Sequence, residues 1–287
     1  MKIVNCYNCQ SEKRTFYAAE NGYSLVKCME CGLLFIDERP DDTEISQAHK
    51  QGKHTGLKEL DVTGVFNDNK IPKYLKVLND IFKGALDNKK SWLDIGCGHG
   101  EFIVAINKYS SGAICAIGSE PNIHKQESAR ERGLNVGYFD IESHEEKYDV
   151  ISLLNVYSHL PDPSIFLKSL KKNLNRHAEI IIETGDTADF ASIHHYRPFN
   201  LPDHLSFASE KIVTGILMRL GFEIVSVNKY PYPNSPNLSV TPAGIAAEII
   251  KAILPGYKSK LQEYFKIYND RKRWSKTDMY IRARLIA

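Results

Sequence analysis

The chain has 287 residues, of which 43% are hydrophobic and 25% charged, a composition that excludes extensive disorder and leaves room for about two domains. Its 37 Lys and Arg residues nearly balance 35 Asp and Glu residues, which disfavours a dedicated nucleic-acid binder because such proteins carry a basic excess. No run of about 18 apolar residues predicts a membrane span, and the first residues lack the apolar segment of a signal peptide. We therefore expect a cytoplasmic protein.

The first 31 residues hold four of the six cysteines, as two Cys-x2-Cys pairs separated by about 20 residues. Pairs at this spacing can place four thiolates tetrahedrally around one Zn²⁺, whereas a reducing cytoplasm disfavours disulfides. Four thiolates leave no open position, so the zinc is predicted to be structural; a redox pair and unligated thiols are the alternatives. The predicted ligands are Cys6, Cys9, Cys28 and Cys31.

Between the cysteine pairs, β-branched and aromatic residues flank Asn21-Gly22, a typical hairpin turn. We therefore predict a zinc ribbon over residues 1–40. Residues 41–90 are expected to form a helical linker on the acceptor side. Within it, residues 43–70 are polar and weakly periodic, which indicates a mobile segment or short helices, and apolar residues at helical spacing run from Pro72 to Gly84.

From residue 91 onward, short apolar runs alternate with helical patterns, which predicts an α/β domain with a mostly parallel sheet and helices on both faces. A helical insertion is expected over residues 243–275, where two helices could cap the acceptor site, pair two subunits into a homo-oligomer or pack on the sheet edge. The predicted strands are 91–95, 113–118, 135–138, 148–154, 179–183, 222–227 and 279–286. The predicted helices are 101–109, 123–132, 163–174, 210–220 (opened by Ser209 as N-cap), 244–254 and 257–274.

The clearest motif for a bound cofactor is LDIGCGHGEF, in which a strand runs through Gly96-x-Gly98-x-Gly100 into a helix. Glycines allow a tight turn and a close approach of the backbone to a ligand at the helix N-terminus. The spacing differs from the G-x-G-x-x-G of dinucleotide binders, and a purely structural turn is the alternative. Glu120, after the second strand, is placed where a carboxylate can accept hydrogen bonds from ribose hydroxyls.

Five segments together resemble the class I S-adenosylmethionine-dependent methyltransferases, over residues 70–230 and the final strand. They are LDIGCGHG, AIGSEPN, YFDI, YDVISLLNVYSHLPDP and LGFEIVSV. The resemblance implies a Rossmann-like seven-stranded sheet and S-adenosylmethionine as cofactor. It also implies a set of cofactor-binding residues. Asp94, Gly96, Gly98 and Gly100 would hold the methionine end, Glu120 the ribose, Asp140 and Ile141 the adenine, and Asn155 the region of the methyl group.

Two acids in this set of motifs have plainer interpretations. Asp140 could be an ordinary loop residue, and Asp149 is expected to anchor its strand rather than to touch cofactor. His159, in the HLPDP segment, could face the active site or, as we favour, fix the loop before the next helix.

The acceptor site is expected after the fifth strand, in residues 183–209. Its PDHLSFAS segment resembles methyltransferases acting on sugars and other small molecules, some of which carry an N-terminal zinc knuckle. That resemblance implies His204 as general base, with Asp203 beside it. Leu201 stands where those enzymes have a tyrosine, which leaves C-, O- and N-methylation open. The alternative is that His204 only hydrogen-bonds the following turn.

A second metal site is a weaker hypothesis, because no regular ligand spacing supports it. Tyr196 and Arg197 are candidates for gripping an anionic acceptor. The residues of the hypothetical metal site are His194, His195, Asp186, Asp189 and Asp203.

The sequence thus predicts a cytoplasmic methyltransferase with a structural zinc, acting on a small molecule such as a sugar or nucleotide-linked sugar. Two alternatives stay open. One is a ribosomal RNA methyltransferase with a four-cysteine zinc module, which the near-neutral charge disfavours. The other is a non-catalytic scaffold, which the intact glycines and Glu120 disfavour.

Overall fold

A computed structural model describes residues 2–84, 86, 89–192, 195–231, 246, 249–251, 253 and 277–286 of the chain. The chain divides into two compact units, residues 1–228 with 279–287, and residues 229–278. The first unit contains the cysteine ribbon, the linker and the large sheet. Among the helices of the described residues, none is long and apolar enough to cross a bilayer.

The amino-terminal ribbon is a four-stranded antiparallel sheet that includes a strand from far along the chain. Its hairpin turns at Asn21-Gly22, where both residues have positive φ, as the sequence predicts. The fourth strand comes from residues 206–207 and pairs with β4, so the ribbon sheet is completed by the acceptor region. The four strands of this sheet are β2 (Arg14–Glu20), β3 (Tyr23–Cys28), β4 (Leu34–Ile36) and β13 (Ser206–Phe207). Two further strands, β1 (Lys2–Ile3) and β5 (Glu38–Arg39), pair in a separate two-stranded sheet.

The linker is more ordered than its polar sequence suggests. Helix α1 (Asp42–Gln51) begins with a capping box, in which Asp41 accepts the N–H of Glu44 and Glu44 accepts the N–H of Asp41. It buries only Ile45, which is why its periodicity is weak. A small hairpin and a longer amphipathic helix follow. They are β6 (Lys53–His54), β7 (Leu60–Asp61) and α2 (Lys70–Phe82).

The large sheet has seven strands, as the resemblance to class I methyltransferases implies, and their order is β10-β9-β8-β11-β12-β15-β14. Strand β8 lies between β9 and β11 and is parallel to both. The strands are β8 (Ser91–Ile95), β9 (Cys115–Ser119), β10 (Val136–Gly137), β11 (Tyr148–Leu154), β12 (Leu174–Gly185), β14 (Phe222–Tyr230) and β15 (Asp278–Leu285). The helices are α3 (Glu101–Tyr109), α4 (Ile123–Arg130), α5 (Pro163–Ser169) and α6 (Glu210–Arg219), with 3₁₀ helices at Tyr157–His159 and Leu170–Asn173.

The core lies on both sides of the central strands. Leu93, Ile151 and Ile180 are fully buried, because a parallel strand covered on both faces reads as a continuous apolar run rather than an alternating one. Asp149 joins β11 to the start of β8 by accepting the backbone N–H groups of Lys90 and Ser91. The expected anchoring role of this acid is therefore confirmed.

All seven predicted strands are present, although β12 is seven residues longer and β10 two residues shorter than predicted. The helices predicted over 101–109, 123–132 and 210–220 are confirmed to within two residues. The prediction of helix over residues 163–174 is too long, since α5 passes into a 3₁₀ helix at Leu170. Ser209 occupies the N-cap of α6 without a capping hydrogen bond, and Asp186 instead accepts the N–H of Glu210. In the predicted 244–254 helix, the described residues 246, 249–251 and 253 are helical, and the predicted 257–274 helix lies outside the described residues.

Candidate active site

The residues predicted to hold the cofactor meet at the carboxyl edge of the large sheet. Gly96, Glu120 and Asn155 are each the first residue after a strand, following β8, β9 and β11. Because these three strands are parallel neighbours, their ends open onto one crevice.

The glycine turn between β8 and α3 leaves space for a ligand. Gly96 and Gly98 both have left-handed φ values, of 64° and 57°. A Cβ at Gly96 would lie 2.4 Å from Cγ2 of Val156, so only glycine fits against the β11 loop. A Cβ at Gly98 would meet no atom within 4 Å. The open space at Gly98, in front of the α3 N-terminus, fits the close approach of a cofactor.

Glu120 is 5% exposed and is held by two backbone donors. Its Oε2 accepts the N–H of Gly98 at 2.9 Å, and its Oε1 accepts the N–H of Asn122 at 3.0 Å. Each carboxylate oxygen has a second lone pair, so the group can still accept two hydroxyl donors such as those of a ribose. The carboxylate is thereby oriented before a ligand arrives.

Asp94 is buried at the end of β8, where Ser152 Oγ donates to its Oδ1 at 2.5 Å. The pKa of Asp94 is raised to about 7, chiefly by burial and also by the nearby carboxylates of Glu120 and Glu101, against the lowering effect of the Ser152 hydrogen bond. Such a carboxyl suits a positively charged partner, because an ammonium group would favour its ionised form.

The remaining predicted cofactor residues are less constrained. Asp140 is exposed, and its side chain accepts the N–H of Glu142 in a turn, while Ile141 beside it is buried. Asn155 is exposed with a left-handed φ of 56°, and its N–H donates to the carbonyl of Glu183. These positions border the crevice at the ends of β10 and β11.

The linker is held against the cofactor turn by two residues that the sequence analysis did not single out. His99 is buried, and its Nε2 lies 3.0 Å from the carbonyl of Thr63; since a carbonyl only accepts, Nε2 carries the proton. Glu101 accepts from the N–H of Asn67 and the ammonium of Lys70. Both residues lie in the GCGHGE motif, and this position could have identified them from the sequence.

A cluster of four imidazoles surrounds Asp203 beside this crevice. Asp203 Oδ1 lies 3.0 Å from Nε2 of His54 and 3.0 Å from Nδ1 of His159. The ring of His204 lies 4.7 Å from that of His159, and the ring of His49 lies 5.5 Å from that of His54, centroid to centroid. We name these five residues the histidine cluster.

Two rings of the cluster have defined tautomers. His159 Nδ1 lies 2.9 Å from the backbone carbonyl of Asp203, and His204 Nδ1 lies 2.9 Å from that of Phe199. A carbonyl can only accept, so each Nδ1 carries a proton, and in a neutral ring Nε2 is left as a proton acceptor. Asp203 therefore pairs with His159, whereas the sequence analysis placed it beside His204.

Burial and the charge of Asp203 shift the pKa values of three rings of the cluster in opposite directions. Burial lowers the pKa of His49 and of His204 to about 4. Burial acts in the same direction on His159, but the charge and hydrogen bonds of Asp203 outweigh it and raise the pKa of that imidazole. Burial alone would raise the pKa of Asp203, yet His159 holds it well below its usual range.

The ribbon supports the loop that carries Asp203 and His204. Asn21 donates its side-chain amide to the carbonyls of Leu201 and Lys58, which joins the hairpin tip to both the acceptor loop and the linker. On the other side, the hydroxyl of Tyr7 bonds those of Tyr157 and Ser206. The acceptor region is therefore built jointly by the ribbon, the linker and the large sheet.

The four ribbon cysteines come together as the sequence predicts. Their sulfur atoms lie within 4.8 Å of one another, with 3.4 Å between Cys6 and Cys31 and 3.5 Å between Cys9 and Cys28. Thiolates bound tetrahedrally to Zn²⁺ at about 2.3 Å would be about 3.8 Å apart, so this set fits the ion.

The second metal site suggested by the sequence does not form around His195. That ring packs against Phe199 and Phe207, and the Asp186 side chain caps α6. His194 lies outside the described residues. Asp203 instead meets His49 and His54, two linker histidines that the sequence analysis did not assign to any site.

Known methyltransferases resemble this chain in sequence and in fold. Residues 67–227 match the sequence model of a family described as "Methyltransferase domain". Among solved structures, an S-adenosylmethionine-dependent methyltransferase from Archaeoglobus fulgidus is similar with a TM-score of 0.52 and 20% identity, covering 76% of this chain and 94% of that one. The YcgJ protein of Bacillus subtilis has a TM-score of 0.50 and 14% identity, covering 75% of this chain and 99% of that one.

Two curated relatives are named tRNA U34 carboxymethyltransferase. The protein of Nautilia profundicola is 27% identical over 169 residues, which are 55% of each chain. That of Sulfurimonas denitrificans is 29% identical over 98 residues, or 32% of this chain and 33% of the relative. The chain thus spans about half or less of the length of the curated relatives it matches.

Proposed function

This chain belongs to the methyltransferase domain family, with the class I S-adenosylmethionine-dependent fold, and from that premise we propose that it methylates a small molecule, a sugar or nucleotide-linked sugar. The observation that supports the proposal is the histidine cluster beside the glycine turn. His159 lies three residues beyond Val156, which packs against Gly96. An imidazole with a carboxylate partner therefore lies close to where the methyl group would be presented.

S-adenosylmethionine, when bound, supplies a methyl group on a sulfonium that is transferred by in-line displacement. The open space at Gly98 and the two oriented oxygens of Glu120 would hold the nucleoside, and Asp94 would face the amino group. The protein's contribution is to align acceptor and methyl group in a crevice that excludes water.

The acceptor must lose a proton, and we propose that a ring of the histidine cluster removes it. His159 is better placed than His204 for this role, because Asp203 orients its ring through Nδ1 and raises its pKa, which makes Nε2 of the neutral His159 ring the more basic nitrogen. His204 packs on the His159 ring and helps to hold it. This assigns to His159 the base role that the family resemblance suggests for His204.

We propose a structural role for zinc at the four ribbon cysteines. They would bind one ion with no open position, and so keep the ribbon folded against the acceptor loop. The ion would take no part in methyl transfer.

The experiment that tests the function measures methyl transfer from labelled S-adenosylmethionine to a panel of nucleotide sugars, free sugars and small phosphorylated metabolites. We expect turnover with a member of the sugar classes, and loss of turnover in a variant of the glycine turn such as Gly96→Val. Turnover confined to the other metabolites, or absent from the whole panel, contradicts the proposed acceptor.

A tRNA acceptor is the second candidate, because both curated relatives carry tRNA in their names. The same assay should therefore include bulk tRNA. If RNA is the acceptor, its binding weakens steeply as salt rises, since each phosphate contact releases counterions. Methylated tRNA together with a steep salt dependence would replace the sugar proposal by this one.

A further inference from the structure

Two imidazoles of the histidine cluster have no role in the proton transfer proposed above. His49 lies in the last turn of α1, and His54 lies in β6, so both come from the linker. Asp203 comes from the acceptor loop, more than a hundred residues later. The three side chains each offer one ligand atom, and these atoms all lie within 4.8 Å of one another.

One ring nitrogen of each linker histidine has no partner in hydrogen-bonding geometry. Nε2 of His49 and Nε2 of His54 are buried, and neither makes a hydrogen bond to any other described residue. His54 is only 2% exposed, so its nitrogen is not accessible to bulk solvent. Buried polar atoms in native proteins are nearly always paired, and two unpaired nitrogens in one cluster therefore indicate a ligand.

The distance between His54 and Asp203 fits two ligands of one ion better than a hydrogen bond. Nε2 and Oδ1 are 3.0 Å apart, yet the oxygen lies off the direction in which an Nε2–H would point. Two ligand atoms that bind one ion at about 2.1 Å, at right angles to each other, are separated by about 3.0 Å. Both atoms point at the ion, so neither points at the other. Opposite ligands would be about 4.2 Å apart, and the three ligand atoms of this set all lie within 4.8 Å of one another.

We propose that His49, His54 and Asp203 bind a divalent transition-metal cation, such as Zn²⁺, Mn²⁺ or Fe²⁺, at a second metal site distinct from the cysteine cluster. Two imidazoles and one carboxylate are a donor set typical of these ions, and three protein ligands leave positions open for an acceptor oxygen or water. The set containing His159 and His204 is less suitable, because the nitrogen of His159 beside Asp203 is Nδ1, which donates to a backbone carbonyl, and the proposed function uses its Nε2 for proton transfer.

The metal site would take part in the proposed methyl transfer, and this catalytic role rests on the proposed function. An ion at this position would lower the pKa of an acceptor hydroxyl bound to it, next to the imidazole of His159. Asp203 would then serve both groups, binding the ion and orienting His159. Metal binding itself does not require that the methyl-transfer proposal be correct.

The test measures cobalt binding to the full chain without cofactor or acceptor. After removal of metal and reloading with excess Co²⁺ and dialysis, the wild type should retain about two ions per chain. One should show the intense sulfur-to-cobalt absorption of the cysteine site, and the other only weak bands of nitrogen and oxygen ligands. His54→Ala and His49→Ala should keep the first ion and bind the second at least about tenfold more weakly.

His195→Ala is the matched control, because His195 also has a buried, unpaired Nε2 but belongs to the aromatic group of Phe199 and Phe207. It should retain both ions. His54→Gln and Asp203→Asn, which preserve side-chain volume, replace the alanine variants if thermal unfolding shows that those do not fold. A single ion in the wild type, or a second ion unaffected by all substitutions in the set, overturns the proposal. Methyl transfer measured separately distinguishes that failure from failure of the proposed function.

Discussion

The carboxylate of Glu20, at the end of the ribbon strand β2, accepts the backbone N–H of Asn200 at 2.7 Å. The same carboxylate also accepts the N–H groups of Phe199 and Leu201. Three successive backbone donors thus converge on one side chain of the ribbon. The loop that leads to Asp203 and His204 therefore depends on the ribbon for its conformation.

We expect Glu20→Ala to impair the acceptor site without harming the cofactor site. Hydrogen bonds to a charged group contribute about 1.5–3 kcal/mol, and since Glu20 is only half-buried, the free energy of unfolding should fall by an amount near the lower end. Methyl transfer should fall at least tenfold while the calorimetric Kd for S-adenosylmethionine is unchanged. Glu30→Ala is the control, because Glu30 forms only an exposed ion pair with Lys13. Equal activity of both variants would contradict the supporting role of Glu20.

Removal of a predicted zinc ligand should unfold the ribbon. Cys28 is 2% exposed, and Cys28→Ser would leave three thiolates to bind the ion. Elemental analysis should find about one ribbon zinc in the wild type and a loss of it in the variant, with a free energy of unfolding lower by at least a few kcal/mol. Cys115→Ser alters an exposed cysteine outside the ribbon and should change neither quantity. A metal-free ribbon of unchanged stability would show that the cysteines are not zinc ligands.

Substitution of Glu120 should weaken cofactor binding. Glu120→Ala removes the two oriented oxygens proposed to accept the ribose hydroxyls, each bond contributing about 1.5–3 kcal/mol. Calorimetry should therefore give a Kd for S-adenosylmethionine that is at least about tenfold higher. Glu127→Ala, on the exposed face of α4, should leave the Kd unchanged. An unaltered Kd in Glu120→Ala would reduce this acid to a structural residue of the glycine turn.

Asp94 should make the stability of the cofactor-free protein depend on pH. Its pKa of about 7 exceeds the ordinary 3.8, so between these values the folded state binds more protons than the unfolded state. The contribution of Asp94 to the free energy of unfolding therefore falls as pH rises from about 4 to 7, by at most about 4 kcal/mol. Asp94→Asn should remove this fall, as measured by urea unfolding at several pH values.

Asp149 provides a control, because its contribution to the free energy of unfolding changes with pH in the opposite direction. Burial would raise its pKa, but the backbone N–H groups of Lys90 and Ser91 lower the pKa below its ordinary value. The ionised form is stabilising, and this stabilisation is lost as pH falls through the lowered pKa. Asp149→Asn should therefore destabilise the protein more at pH 7 than at pH 3. If Asp94→Asn follows the same trend, Asp94 is ionised in the folded protein.

The two candidate bases can be separated by single substitutions. His159→Ala removes the imidazole paired with Asp203 and should slow the chemical step by about 10²–10⁴-fold, in single-turnover assays with saturating cofactor. His204→Ala removes a packing partner and should slow the step by less than tenfold. His144→Ala, on the loop before β11, serves as control for loss of a histidine elsewhere. A larger effect at position 204 than at 159 would restore His204 as the base.

The parts of the fold that could be predicted were those with strong local patterns. The apolar runs at residues 91–95 and 148–154 match β8 and β11, because strands buried on both faces have few polar residues. Helix α1 was predicted only as one of two alternatives, a short helix or a mobile segment, since it buries only Ile45, although the Asp41 and Glu44 capping box was present in the sequence. The histidine cluster could not be predicted, because contacts such as that of His54 with Asp203 join residues about 150 positions apart, and no local spacing encodes them.

Strand β13 also affects how the chain can fold during synthesis. Its residues Ser206 and Phe207 complete the ribbon sheet at β4, yet they leave the ribosome about 170 residues after Ile36. At about 5–20 residues per second, the edge of β4 remains unpaired for roughly 10–30 s. During that interval the nascent ribbon exposes backbone N–H and C=O groups to any other extended chain, including those of neighbouring ribosomes.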